Sequence, residues 1–392
     1  MLNSKDIRYI GVYDEDLELF EGQYPIDSGV TYNSYIILDN KITIMDSVDE
    51  RAGEKWLQNI EYELDGKEPN YIVVSHMEPD HSGSLKLFLD KYPDCKIVGN
   101  LKTFMYLSQM FQVENIEDRK VVINEGDILD LGNHKLKFIM ASMCHWPEVM
   151  FTYESTEKIL FSADAFGTFG KQDDKENDKE NEVVLNWPDE ARRYYINIVG
   201  KYGVQVQGVL AKLKDTEIAT ICPLHGSVLS SNISYYIGKY DIWSKYEAED
   251  EDVVIACSSM HGNTLSAAIN LKELIEKNTS KNVFLFDLCT QDITDAVSYA
   301  FKCKNLIVAS PTYNGELFPA TDSFIRLLKS KGYQNRRVGL IENGTWAPMS
   351  VKQMKEQFEA FKNIEFIEPF ITIKSVLNDA TIEQLNELVS KI

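Results

Sequence analysis

YIVVSHMEPDHSGS, residues 71–84, ends a short β-rich run in a turn carrying two histidines and two carboxylates, at His76, Glu78, Asp80 and His81. A strand end followed by a tight turn lets alternate side chains converge, and imidazole mixed with carboxylate suits a divalent metal of intermediate hardness. Taken alone, the same residues also make a capped turn, with Asp80 or Ser82 as the N-cap of a helix opening at LKLFLD. The rest of the first half weighs between the two. His145 in SMCHWPEVM, Asp164 in FSADAFG and His225 in ICPLHGS each follow a β-rich run in the same way. Four of the chain's six histidines then stand after strand ends, which favours a metal site. Of the other two, His134 in the turn LGNHKL reads as surface structure and His261 belongs to a loop of the second half.

Around these residues the first half alternates short β-rich runs (TYNSYIILDN, KITIMDS, YIVVS, CKIVGN, KVVIN, HKLKFIMAS and KILFSAD) with turns. Amphipathic helical segments are expected over Glu50–Leu64, Asp189–Leu213 and Ser230–Tyr246. Two packed sheets with helices outside follow from that mixture. GKQDDKENDKEN, Gly170–Asn181, is charged and aperiodic, and is expected to be a solvated loop. After the acidic stretch YEAEDEDV the pattern becomes a strict alternation of strand and helix, the signature of a doubly wound parallel sheet. The boundary is placed near Glu249–Asp252, giving domains 1–249 and 250–392.

Length supports two domains, since 392 residues bury two cores without cross-links. At 44% apolar and 26% charged residues the composition is globular. A formal charge of −21 argues against nucleic acid and anionic membranes, both of which need a basic face. The N-terminal stretch has no signal-peptide pattern and no run approaches the ~18 apolar residues of a membrane helix, so a cytoplasmic protein is expected. Cys95, Cys144, Cys222, Cys257, Cys289 and Cys303 contain no CxxC pair. A fused rubredoxin-like or zinc-ribbon module is thereby excluded, and a reduced compartment fits.

Three loops of the second half lie at carboxyl ends of strands, where open α/β sheets bind ligands. The first, IACSSMHGNTLSAA, supplies Ser258, Ser259, Met260, His261, Gly262, Asn263 and Thr264 at the opening of a helix, where amides and hydroxyls can surround a phosphate. SPTYNGELFP supplies Pro311, Thr312, Tyr313, Asn314 and Gly315, and ENGTWAP supplies Asn343, Gly344, Thr345 and Trp346. Tyr313 and Trp346 offer planar faces that could sandwich an isoalloxazine ring. The run Ser259, Met260, Gly262, Asn263, Thr264 resembles the S-M-x-G-N-T loop of the flavodoxin family, which implies FMN. ENGTWAP departs from that pattern, since relatives tend to have glycine immediately before the tryptophan and another soon after.

The order H-x-E-x-D-H, then H, D and H, resembles the metallo-β-lactamase fold in the variant of the flavodiiron proteins, and the flavodoxin-like second half completes that architecture. The resemblance implies an N-terminal metallo-β-lactamase-like αββα sandwich followed by a flavodoxin-like doubly wound sheet. It also implies one iron on His76, Glu78 and His145, another on Asp80, His81 and His225, and Asp164 bridging. The histidine at the place of His81 is a ligand in some members and not in others. Zinc hydrolases of the fold use H-x-H-x-D-H. Glu78 adds negative charge and a hard oxygen donor, favouring redox chemistry over water activation.

The family's activity would be reduction of dioxygen to water, of nitric oxide to nitrous oxide, or both, with electrons from a separate rubredoxin-like carrier. In the family the flavin serves a partner's irons, which implies a head-to-tail homodimer or dimer of dimers. Tyr194 and Tyr195, in ARRYYINIVGKYG, are candidates to lend a hydroxyl to bound substrate, against the alternative of packed helix tyrosines. Two other functions compete: a zinc-type metallohydrolase with a flavodoxin-like appendage, disfavoured by Glu78, and a non-catalytic electron carrier with a structural metal domain.

Overall fold

The computed structural model describes all residues except 1, 3, 114, 171–176, 179–182 and 185, and forms two compact units, Met1–Asp241 and Ile242–Ile392. In the first, one sheet runs in the order Ile7–Tyr9, Tyr35–Ile37, Thr43–Met45, Tyr71–Val73, Lys96–Gly99, Lys120–Val122. A second sheet runs Ile128–Asp130, Lys135–Met140, Met150–Glu154, Ile159–Phe161, Thr220–Cys222. The sheets share one apolar core, in which Ile37, Met45, Val73 and Val98 meet Leu136, Phe138, Met150, Phe161 and Cys222. This is a sandwich of two inner sheet faces. Helix Gly53–Leu64 buries Trp56, Leu57, Ile60 and Leu64, an i, i+4 stripe that lays it on the first sheet's outer side. The Trp56 indole donates to Ser34 Oγ at 3.0 Å, so the stripe's one polar atom is satisfied.

Sheet register decides where the functional turns emerge. Strands 43–45 and 71–73 are parallel, as are 159–161 and 220–222. Chain leaving Val73 and chain leaving Phe161 and Cys222 thus carry His76, Asp164 and His225 out of parallel strand ends.

Several elements differ from the sequence expectation. The run Thr31–Asn40 is two strands, Val30–Tyr32 and Tyr35–Ile37, because Asn33 breaks out to bond Leu224, Pro223 and Gly226. The helix expected over Asp189–Leu213 is broken: Trp187–Tyr194 is α-helical, Tyr195–Val199 forms a π turn, and an α-helix resumes over Gly203–Leu213. A π turn shifts the side-chain phase within a helix, so Tyr194 and Tyr195 are released to different surroundings. His134 is buried rather than on the surface. Of the charged stretch 170–181, residues 171–176 and 179–181 lie outside those described; Asn177–Asp178 pairs antiparallel with Val183–Val184.

The second unit's parallel strands take the order Val283–Asp287, Asp250–Cys257, Cys303–Tyr313, Arg336–Asn343, Ile364–Ile373. This 2-1-3-4-5 order is that of a flavodoxin-like sheet. The unit begins eight residues before the first of these strands, since the segment after Asp241 is fastened within it. The buried Arg336 guanidinium donates to the carbonyls of Tyr246, Glu247 and Phe301, and the Trp243 indole donates to Glu249. Among the described residues no helix is long and apolar enough to cross a membrane.

Candidate functional site

The turn after Tyr71–Val73 places Glu78 at the N-cap of the short helix Pro79–Ser82, but its carboxylate makes no capping bond. It points at imidazoles instead: Glu78 Oε2 lies 3.2 Å from His76 Nε2 and 2.9 Å from His145 Nε2. Asp80 and His81 sit inside the helix, not at its cap. Asp80 Oδ2 lies 3.3 Å from His81 Nε2 and 3.1 Å from His225 Nε2. Two groups of donors result, His76–Glu78–His145 and Asp80–His81–His225.

Asp164, fully buried, stands between them. Its Oδ2 lies 3.2 Å from His76 Nε2 and 3.4 Å from His145 Nε2, and its Oδ1 lies 3.2 Å from His81 Nε2 and 4.0 Å from His225 Nε2. One carboxylate therefore presents one oxygen to each group, the arrangement of a bridging ligand.

The charges are strongly coupled. Burial by itself would raise Asp164, yet His76, His145 and His81 hold it well below the usual carboxylate range. Burial likewise works against protonated His145, but the neighbouring carboxylates of Asp164 and Glu78 raise it to about 9. Burial would raise Glu78 too, and the same imidazoles bring it down to about 2. Without a metal, protons take the place of cations among these carboxylates, and they must leave when a metal binds.

Support behind the donors was not read from sequence. His76 Nδ1 lies 2.8 Å from Oε1 of buried Glu148, which also accepts the Met77 amide at 2.9 Å. His225 Nδ1 donates to the Thr31 carbonyl at 2.7 Å, and Thr31 Oγ1 accepts the Gly226 amide at 2.7 Å. The Asn33 amide donates to both Pro223 and Gly226 carbonyls at 2.8 Å, holding the His225 loop from the other side. Such partners fix tautomer and ring orientation. Glu148 carried a faint signal, an acid three residues after His145 in an otherwise apolar run; Asn33 and Thr31 carried none.

Tyr194 packs its ring 5.7 Å from His225 and 5.1 Å from Phe169. Burial first, and then the charges of Asp164, Asp80 and Glu78, raise its hydroxyl well above the ordinary value. Tyr195 instead packs on Tyr240 at 4.9 Å. The structure thus brings Tyr194, and not Tyr195, against the histidine cluster.

In the second unit a cavity of about 410 Å³ opens at the carboxyl ends of three strands. It is lined by Ser259, Met260, His261, Asn263 and Thr264, by Pro311, Thr312, Tyr313, Asn314 and Gly315, and by Asn343, Gly344, Thr345 and Trp346. Two expected residues stand behind the lining. Ser258 is buried and its hydroxyl accepts a bond from Thr321 at 2.8 Å, while Gly262 makes the turn itself at φ +86°. Ala347, Met349 and Ser375 line the cavity without having been expected. Gly262 is the N-cap of helix Asn263–Asn278 and no side chain caps it, which leaves first-turn amides for an anion. Tyr313 is 44% and Trp346 82% exposed, so both rings have faces free for a planar ligand.

The family described as ODP family beta lactamase matches residues 30–226. An anaerobic nitric oxide reductase flavorubredoxin of Aliivibrio fischeri is 30% identical, over 87% of this chain and 69% of that protein. A nitric oxide reductase of Moorella thermoacetica is 27% identical over 98% of this chain and 96% of its own. Among solved structures, the rubredoxin oxygen:oxidoreductase of Desulfovibrio gigas superposes with a TM-score of 0.90 at 25% identity, covering 100% of this chain and 97% of that one.

The chain is a flavodiiron protein. Flavodiiron proteins hold FMN and a di-iron centre, and the residues present suit both. Asp164 Oδ1 and Oδ2, Asp80 Oδ1 and His81 Nε2 are buried without hydrogen-bond partners, a condition that cations relieve. Four imidazoles and three carboxylates make the nitrogen-and-oxygen donor set that iron accepts. In the second unit's cavity, the uncapped helix start suits the phosphate and the two exposed rings suit the isoalloxazine.

Proposed function

We propose that this chain reduces dioxygen to water, nitric oxide to nitrous oxide, or both, drawing electrons from an external rubredoxin-like carrier. The observation that carries the reading is Asp164 set between two donor groups, one of which holds Glu78 where a hydrolase has a third imidazole. When bound, flavin and the iron pair supply the electrons, two each, that one dioxygen requires.

The chain's own residues supply the rest. His76, Glu78 and His145 would hold one iron and Asp80, His81 and His225 the other, with Asp164 shared between the two groups. Glu148 and the Thr31 carbonyl keep Nδ1 of His76 and His225 occupied, so that Nε2 of each faces the carboxylates of the donor groups, where it would be available to iron. Phe20 and Phe169 pack with Tyr194 beside His225 and keep bulk water from that side. Tyr194 keeps its phenolic proton at neutral pH and can donate it in a hydrogen bond to bound substrate. In the second unit, Ser259, Asn263 and Thr264 would hold the FMN phosphate, and Tyr313 and Trp346 the ring.

By its likeness to the family, the chain works as a head-to-tail homodimer or dimer of dimers, the flavin of one copy serving the irons of the other. A forced monomer would keep both cofactors and turn over poorly. The deciding experiment is to reduce the loaded protein fully and mix it anaerobically with each gas, following oxidation and product. Two irons and one FMN per chain with rapid oxidation support the reading; zinc alone, with no gas consumed, overturns it.

A further inference from the structure

His134, in the turn before strand Lys135–Met140, is not used by the di-iron centre, yet its side chain is only 3% exposed. Its Nδ1 lies 3.1 Å from Oε1 of Glu154, a fully buried carboxylate that also accepts the amides of Thr156 and Glu157 at 2.7 Å. No hydrogen bond forms at that contact, so Nδ1 of this buried imidazole has no partner. Nε2 faces Asp6, and one ligating atom from each of Asp6, His134 and Glu157 lies within 4.8 Å of the others. The distance from Nε2 to Asp6 Oδ2 is 3.6 Å, too long for a hydrogen bond. It is close to the roughly 3.4 Å edge of a tetrahedron whose bonds are ~2.1 Å.

Charge points the same way. Among the described residues no lysine or arginine pairs with Asp6, Glu154 or Glu157, so three carboxylates surround one imidazole without a basic counterion. The cluster is also pre-positioned: Ser4 Oγ donates to Glu157 Oε1 at 2.8 Å, and the His134 amide donates to Asp39 at 2.7 Å.

We propose that Asp6, His134 and Glu157 form a third metal site, taking one zinc-like divalent ion, with buried Glu154 adding negative charge beside the histidine. It is separate from the di-iron centre: His134 precedes the strand that His145 follows, and Glu157 precedes the strand that Asp164 follows. Six residues of strand, at ~3.3 Å each, put the two sites roughly 20 Å apart at opposite ends of the second sheet. An ion here would tie the N-terminal segment to two hairpin turns, a structural role.

The test uses the iron- and FMN-loaded protein, incubated with zinc chloride, desalted, and assayed for zinc and iron by mass spectrometry and for Tm. The expected result is one zinc gained per chain with iron unchanged and Tm raised by a few degrees. The double variant Asp6→Asn, Glu157→Gln, and separately His134→Gln, should lose that zinc and the gain in Tm while keeping iron and flavin. No zinc retained, zinc gained mole for mole with iron lost, or equal uptake by the double variant would overturn the proposal.

Discussion

Glu148 Oε1 stands 2.8 Å from His76 Nδ1 while accepting the Met77 amide, so one buried carboxylate holds both the imidazole and the backbone of the turn that carries Glu78. Replacing it by alanine leaves His76 free to rotate and orphans the amide. Glu148→Ala should lower iron affinity by about 10–100-fold, read as faster iron loss to a chelator. Glu148→Gln, which keeps an acceptor, should fall in between.

Glu78 bonds both imidazoles of its group, and its charge is what distinguishes this donor set from that of a hydrolase. Glu78→His should still bind divalent metal, with preference moved toward zinc, and should lose consumption of dioxygen and nitric oxide. Unchanged turnover in stopped flow would contradict the role given to the carboxylate.

The metal-free protein should have a narrow stability maximum in pH. His145 is raised from the ordinary 6.5 to about 9, so its contribution is complete below 6.5 and disappears as pH climbs toward 9. Glu78 is lowered from 4.5 to about 2, so its contribution is complete above 4.5 and disappears as pH falls toward 2. Both shifts describe one set of bonds and are not summed; the alkaline loss is roughly 3 kcal/mol. Tm of the chelated protein should peak between pH 4.5 and 6.5 and fall by pH 9. With iron bound, the histidines are already deprotonated and the alkaline fall should largely vanish.

The two tyrosines separate by a single substitution each. Tyr194→Phe removes a protonated hydroxyl from beside His225 and should lower kcat about 10-fold with iron content unchanged. Tyr195→Phe acts on the Tyr240 side and should leave kcat within about twofold, a contrast visible in single-turnover oxidation.

Particular residues show what the sequence could carry. His76, Asp164 and His225 were legible because each closes a strand whose apolar run is visible, and the alternation after Val253 dictated a parallel sheet. His134 misled because a histidine in a polar turn looks solvated, and its burial depends on Glu154 and Asp6 from distant segments. The π turn at Tyr195 was illegible for a similar reason: the helical period continues through it, and only packing on Tyr240 and the wall near His225 sets the phase. Asn33 and Thr31 hold the His225 loop across about 190 residues of chain, which no local pattern encodes.

The flavin loops contain a reciprocal test of backbone strain. Gly262 turns at φ +86° with open space where a side chain would stand, so Gly262→Ala meets no clash and costs only the left-handed conformation, about 1–2 kcal/mol. Because the same turn aims the first amides of helix Asn263–Asn278, FMN affinity should fall as well, by about 10-fold if the loop relaxes toward negative φ. Ala347 already carries the opposite burden, an alanine at φ +44° beside Trp346, where the departure from a glycine-rich loop lies. Ala347→Gly should therefore raise apoprotein stability by about 0.5–1 kcal/mol. It should also loosen the loop that presents Trp346, so FMN binding followed by fluorescence quenching should weaken even as Tm rises. A variant that gains both stability and FMN affinity would show that the strained alanine does not help to hold the tryptophan in place.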